Sequence, residues 1–193
     1  MCIRDSYQHG RPFYVAVTDV ESGQARYLPT NAATLRQAIK ASAALPLLYR
    51  DFPVLNGHAV TDGGVADSIP VAEAIRRGAK RIMVLRARPH HYVKKDTLGH
   101  RLIRWQLRKH RALTATMRLR ARIYRATLHV MRNPPPGIEI IEICPPANLT
   151  LGRFNRQCLR LQGAYDYGVN MAEVALQAWA EPGMQKGEKV ELL

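Results

Sequence analysis

Apolar positions along this chain fall first on alternate residues and later at helical spacing. PFYVAVTD, residues 12–19, is rich in β-branched and aromatic types; ESG follows, then QARYL. That pattern predicts a β-hairpin turning at Glu21–Gly23. Residues 34–44 are alanine-rich and read as a helix that Pro46 ends. Within LLYRDFPVLNGHAV, residues 47–60, Asn56-Gly57 marks a second hairpin turn. Residues 69–78 read as a helix, with Pro70 suited to its first turn and Gly78 to its stop. RIMVLRA, residues 81–87, reads as a short apolar strand. This alternation of strand, turn, helix and strand predicts α/β organisation around a buried parallel sheet.

The second half changes period. Residues 98–132 read as one or two long helices, with Leu113, Met117, Tyr124, Leu128 and Met131 on one face. Arg111, Arg118, Arg122 and Arg125 fall on the opposite side. NPPPG, residues 133–137, stops the helix. IEIIEI, residues 138–143, is a strand with Glu139 and Glu142 in different phases, so one acid must face solvent, a partner or the strand's edge. Residues 154–180 read as a last helix. No internal repeat or low-complexity linker interrupts these elements.

Charge adds a second feature. The net charge is +14 over 193 residues, and between Lys94 and Arg132 twelve Lys or Arg stand against one acid, Asp96. Most of the excess belongs to one segment, which implies an anionic partner. An anionic membrane surface fits, with Arg111, Arg118, Arg122 and Arg125 as its contacts; a solvated face whose arginine stems cover apolar surface is the plain alternative. Nucleic acid fits less well, because no zinc-finger spacing, RNA-recognition signature or aromatic-interleaved basic strand is present. No run of apolar residues is long enough to span a bilayer, and no secretory leader pattern opens the chain. Cys2, Cys144 and Cys158 form no C-x-x-C pair, and His90-His91 is the one histidine cluster, without suitably spaced partners. Neither a metal nor a disulfide framework is expected; a cytoplasmic protein, in peripheral contact with membrane, fits these features.

Candidate chemistry centres on TDGGVADSIP, residues 61–70. A strand-to-helix turn, a calcium loop and a presented catalytic carboxylate all place an acid beside glycine. The calcium loop lacks the acids needed to complete a six-to-eight oxygen shell. The catalytic reading holds Asp62 at the C-terminal end of a parallel strand, where Gly63 and Gly64 permit close approach. Ser42 reads as a packing residue of its helix, Ser68 as a loop or cap residue, and Asp67 as a turn or helix-start acid.

ASAALPLLYRDF, a short hairpin and then TDGGVADSIPVAEAIRRGAKRIMVLRARP resemble the second half of the patatin-like phospholipases. Ala41, Ser42, Ala44 and Pro46 match the family's A-S-x-A-x-P; Asp62, Gly63 and Gly64 match D-G-G; Ile69, Pro70, Gly78 and Ala79 match the helix that follows. FYVAVTDVESGQARYL is similar to an earlier hairpin of the family. NPPPGIEIIEICPPANLTLGRF and AYDYGV resemble a bacterial subgroup with a C-terminal extension. The resemblance covers nearly all of residues 11–180.

The resemblance implies a three-layer α/β/α patatin-like fold, partial here, with an α-rich C-terminal extension. Residues 7–89 would be the C-terminal part of that domain and residues 90–193 a basic helical extension with one late strand. It also implies acyl hydrolysis of lipid esters by a Ser–Asp dyad, without cofactor or metal, with Asp62 as the acid and Gly63 and Gly64 shaping its turn. Ser6, Ser22, Ser42 and Ser68 all stand outside a G-x-S-x-G elbow, so the nucleophile is expected upstream. Residues 1–6, MCIRDS, fit no element and are expected to be non-native. The chain by itself is then expected to be inactive. The alternative is a non-catalytic relative that binds membrane or another polyanion on the same scaffold.

Overall fold

A computed structural model describes residue 10 and residues 12–46, 51–94, 104–105, 107–149 and 156–180; MCIRDS lies outside them. β1 (Phe13–Asp19) and β2 (Ala25–Thr30) form the expected hairpin, in register from Phe13↔Thr30 to Thr18↔Ala25. β3 (Val54–Leu55) and β4 (His58–Asp62) form the second hairpin. Asn56 and Gly57 both take positive φ, 51° and 78°, the geometry that lets two residues reverse a twisted strand. β4 also pairs with β1, at Val17↔Asp62, Thr18↔Thr61 and Asp19↔Val60, giving a four-stranded order β2-β1-β4-β3.

The expectation of a parallel sheet around Asp62 is thereby corrected. β4 runs antiparallel to both neighbours. A two-residue turn can join only antiparallel strands, and the Asn56-Gly57 signal therefore already excluded a parallel β3–β4 pair. Parallel pairing occurs elsewhere, between β5 (Arg81–Leu85) and β6 (Glu139–Ile143), in register from Arg81↔Glu139 to Leu85↔Ile143.

α1 (Leu35–Ser42) starts where the Asn31 side chain accepts from the backbone N–H groups of Ala33 and Thr34, each at 3.0 Å. Its buried Ala38 and Ala41 bring it close to the sheet, and Ala41 shares a core with Val17 and Val60. α2 (Val71–Arg76) is one and a half turns long, braced by Glu73 to Arg76 and Arg77 at 2.6 Å each. α3 (Arg111–Arg132) is the long basic helix. Leu113, Met117, Tyr124, Leu128 and Met131 are all buried, as their spacing predicts, while Arg111, Arg118, Arg122 and Arg125 are exposed. α4 (Cys158–Ala180) completes the described chain; the start expected near residue 154 lies outside the described residues.

Two compact units emerge, and they interleave along the sequence. One comprises residues 1–70 with 94–126, the other residues 71–93 with 127–193. In the first, Val20, Val65, Leu107, Leu113 and Met117 form a core, and Thr116 Oγ1 donates to the Gly23 carbonyl at 2.8 Å, tying the β1–β2 turn to α3. Truncating a side chain as buried as Leu113 to Ala costs about 2–5 kcal/mol. In the second, Ile141 and Ile143 of β6 pack with Met171 and Ala175 of α4.

Candidate functional site

Asp62 is the last residue of β4 and caps the short 3-10 turn Gly63–Val65. Its Oδ1 accepts the Gly64 N–H at 2.7 Å. Its Oδ2 has no hydrogen-bond partner among the described residues, and the residue is half-buried. One carboxylate oxygen is thus fixed by backbone, and the other is available to a donor.

The turn is fastened on every side. Thr18, fully buried on β1, donates Oγ1–H to the Asp62 carbonyl at 2.8 Å and accepts the Ala66 N–H at 3.1 Å. Thr61, also fully buried, donates to the Ala44 carbonyl at 2.7 Å, and the Asp62 N–H reaches the same oxygen at 3.0 Å. That double contact joins the A-S-x-A-x-P segment to the Asp-Gly-Gly segment. Satisfying these buried groups fixes the turn, since an unpaired one costs about 1–3 kcal/mol.

The glycines have separate reasons. A Cβ on Gly63 would lie 2.2 Å from the Ala16 carbonyl oxygen, so β1 leaves no room for one. A Cβ on Gly64 would lie 3.1 Å from Asp62 Oδ1 and would press on the carboxylate itself. Gly63 therefore permits strand packing and Gly64 permits the carboxylate's position.

Cations from the basic segment meet the turn's outer side. Arg120 Nε donates to the Gly64 carbonyl at 2.9 Å, and the Ser68 hydroxyl donates to the same oxygen at 2.8 Å. The Lys94 ammonium hydrogen-bonds to Ser68 Oγ and lies 4.9 Å from the Tyr124 ring centre. With its proton on a carbonyl and an ammonium at its oxygen, Ser68 has the environment of a brace, not of an activated nucleophile. Asp67 accepts the Tyr27 hydroxyl at 2.5 Å and the Ile69 N–H at 3.2 Å, which occupies both its oxygens with structural work.

Thr18, Tyr27, Lys94 and Arg120 went unmarked in the sequence reading. Arg120 alone carried a signal: it breaks the exposed arginine stripe by lying between Arg118 and Arg122 on the turn-facing side. Asp19, 4% exposed, was also missed. It accepts from the Glu21 and Ser22 N–H groups at 3.1 and 2.9 Å, from the Ser22 hydroxyl at 3.0 Å, and pairs with Arg26 and His58. Burial works to raise its carboxyl, but these hydrogen bonds and the His58 ring outweigh it and hold it below the ordinary value.

In the other unit, Arg86 and Glu142 form a buried ion pair just past β5 and within β6. Arg86 also reaches the His90 and Tyr92 carbonyls, and His90 Nε2 lies 3.7 Å from Glu142. His90 is therefore half-buried against an acid. Glu139 pairs with Arg81 at 2.7 Å, so both strand acids meet arginines. Among the described residues no group of three His, Cys, Asp or Glu is arranged to hold a metal ion, and no helix is long and apolar enough to cross a membrane.

Two stretches of the chain match known family models. Residues 7–75 match the patatin-like phospholipase family model, a hydrolase family, and the Asp-Gly-Gly turn lies inside that stretch. Residues 110–182 match a second model, described as a domain of unknown function (DUF6363). The uncharacterized protein YjjU of Escherichia coli (strain K12) is 32% identical over 145 residues. The alignment takes in 74% of this chain and 40% of YjjU, so the chain spans well under half the length of that relative.

Proposed function

We propose that Asp62 is the acid of a Ser–Asp dyad in an acyl hydrolase acting on lipid esters, with the serine carried outside these 193 residues. The observation that carries the reading is the carboxylate's geometry: Oδ1 anchored by Gly64 N–H at 2.7 Å, at the end of β4, inside the stretch similar to patatin-like phospholipases. A carboxylate held in this way can orient a serine hydroxyl and accept its proton as the hydroxyl attacks an ester carbonyl. As the acyl-enzyme forms, the alcohol or lysolipid leaves with the serine's proton; water then cleaves the acyl–serine bond, giving a free acid and restoring the serine. On this reading the chain belongs to a larger three-layer α/β/α domain whose other residues carry the nucleophile elbow and oxyanion donors.

The test joins this chain to the serine elbow that the reading requires and assays fatty-acid release from phospholipid vesicles. Asp62→Asn keeps an oxygen for the Gly64 N–H, so the fold is retained. Turnover should fall by up to about ten-thousand-fold, the scale seen when a triad acid is replaced. Retained turnover removes Asp62 from the mechanism. The 193 residues alone should release no acid.

A second reading, a non-catalytic relative that binds membrane, is favoured by the acid-free basic segment from residue 97 to 138. It predicts vesicle binding with no turnover in any longer form of the protein.

A further inference from the structure

Residues 104–105 and 107–110 and the first two turns of α3 line an open basin of about 490 Å³, with Arg104, Trp105, Arg108, Arg111, Thr114 and Arg118 on its walls. The basin is built, not incidental. Leu107 and Leu113, 5% and 0% exposed, anchor its two walls in one core. The Leu107 carbonyl accepts the His110 N–H at 2.8 Å and the Thr114 hydroxyl at 2.9 Å, locking the turn onto the helix. Arg104, Arg108, Arg111 and Arg118 all line this one basin, and the sequence from residue 97 to 138 contains no acid.

The helix adds to this field. α3 has no acid in its first turn, where one would offset the positive end of the helix dipole; Arg111 stands there instead. Like charges so arranged repel, and an anion relieves both the repulsion and the dipole. Trp105 sits at the rim, 63% exposed, with Arg108 5.3 Å from its ring centre. An exposed indole beside a cationic basin is the arrangement expected at a water–lipid boundary, where the ring enters the headgroup layer while arginines take phosphates. A tract for nucleic acid would need a groove that follows a backbone and several stacking aromatics; this basin has one.

We propose that this basin receives the phosphate headgroup of an anionic phospholipid and docks the protein on a bilayer surface. Arg122 and Arg125, on the same exposed stripe but outside the basin, add only general attraction. The inference deepens the lipid-hydrolase reading but needs no turnover, so the two can fail separately.

The experiment measures partitioning of the protein onto vesicles by sedimentation, with Trp105 emission recorded in a Trp179→Phe background. Vesicles of phosphatidylglycerol in phosphatidylcholine should bind the protein and shift Trp105 emission to the blue; pure phosphatidylcholine should do neither. Each of Arg108→Gln, Arg111→Gln and Arg118→Gln should weaken partitioning about five-fold, while Arg125→Gln does less. All three are exposed, so the fold survives them. Asp62→Asn should partition like the unchanged protein. The proposal is overturned if neutral vesicles bind equally, if the three variants bind unchanged, or if duplex DNA outcompetes anionic vesicles with the same arginine dependence.

Discussion

Arg120 donates its Nε–H to the carbonyl oxygen of Gly64 at 2.9 Å, so a residue of the long basic helix holds the turn that carries Asp62. Gly64 is then bound at both ends, its N–H to the Asp62 carboxylate and its carbonyl to Arg120 and Ser68. Removing Arg120 leaves that carbonyl with one donor and loosens the peptide that positions the carboxylate. Arg120→Met should cost about 1.5–3 kcal/mol, the range for a hydrogen bond with one charged partner. Arg120→Lys should recover part of the stability but not the planar geometry. Urea unfolding of the three proteins checks this; equal midpoints would show that Arg120 does not brace the turn.

The two glycines should separate by mutation. Gly63→Ala drives a methyl to 2.2 Å from a β1 backbone oxygen, and neither strand can retreat without breaking the β1–β4 ladder. A loss of about 3 kcal/mol or more is expected, read as a lower unfolding midpoint. Gly64→Ala meets Asp62 Oδ1 at 3.1 Å, a side-chain atom that can swing aside. It should fold nearly normally yet displace the carboxylate, so on the proposed reading any Asp62-dependent turnover falls while thermal stability barely changes. Similar stability losses in both would remove the distinction.

Much of this was legible in the chain itself. Steps of three, four and seven from Leu113 to Met131 place five side chains on the buried face, because a 3.6-residue period leaves no other arrangement. Asn56-Gly57 fixed the β3–β4 hairpin. The strand direction around Asp62 was misread because alternating helices and strands suggest parallel crossovers, whereas β1 reaches β4 across forty residues through a pairing that no local pattern encodes. The braces of the site were hidden for the same reason. Thr18 and Arg120 act on residues 44 and 56 positions away; a threonine in a strand looks like any other, and the off-stripe position of Arg120 does not say what it contacts.

Asp19 should make the β1–β2 hairpin sensitive to acid. Its folded carboxyl lies below the ordinary value of 3.8, so its contribution is complete above that value and is lost as the pH falls through the lower folded one. Asp19→Asn should be destabilised at neutral pH, because a neutral amide forfeits the charge-assisted contacts to Ser22, Arg26 and His58. The gap between variant and unchanged protein should narrow as the pH drops below about 4, where the unfolded chain's Asp19 takes up its proton. Unfolding midpoints at neutral pH and at pH ~3 measure this; a gap of constant size would show that the Asp19 charge carries no stability.

The Arg86–Glu142 pair offers a test by chemistry as well as by stability. Burial tends to raise the Glu142 carboxyl, but the Arg86 hydrogen bond, the Cys144 thiol and the Arg86 and His90 charges together hold it below the ordinary range. Glu142→Gln strands Arg86 as a buried charge and should cost about 3–5 kcal/mol, whereas Arg86→Met with Glu142→Leu removes both charges and should cost less. Cys144 donates its thiol to Glu142 at 3.1 Å, and burial followed by that neighbouring carboxylate pushes it up to about 12. The thiolate is the reactive form, so at pH ~8 iodoacetamide should leave Cys144 unmodified in the folded protein while exposed Cys158 reacts. In Glu142→Gln the thiol loses its anionic neighbour and faces Arg86 instead, so it should label faster, even under conditions where the variant remains folded. Peptide mass spectrometry after timed labelling reads both sites. Rapid labelling of Cys144 in the unchanged protein, or no acceleration in the variant, would show that Glu142 does not control the thiol.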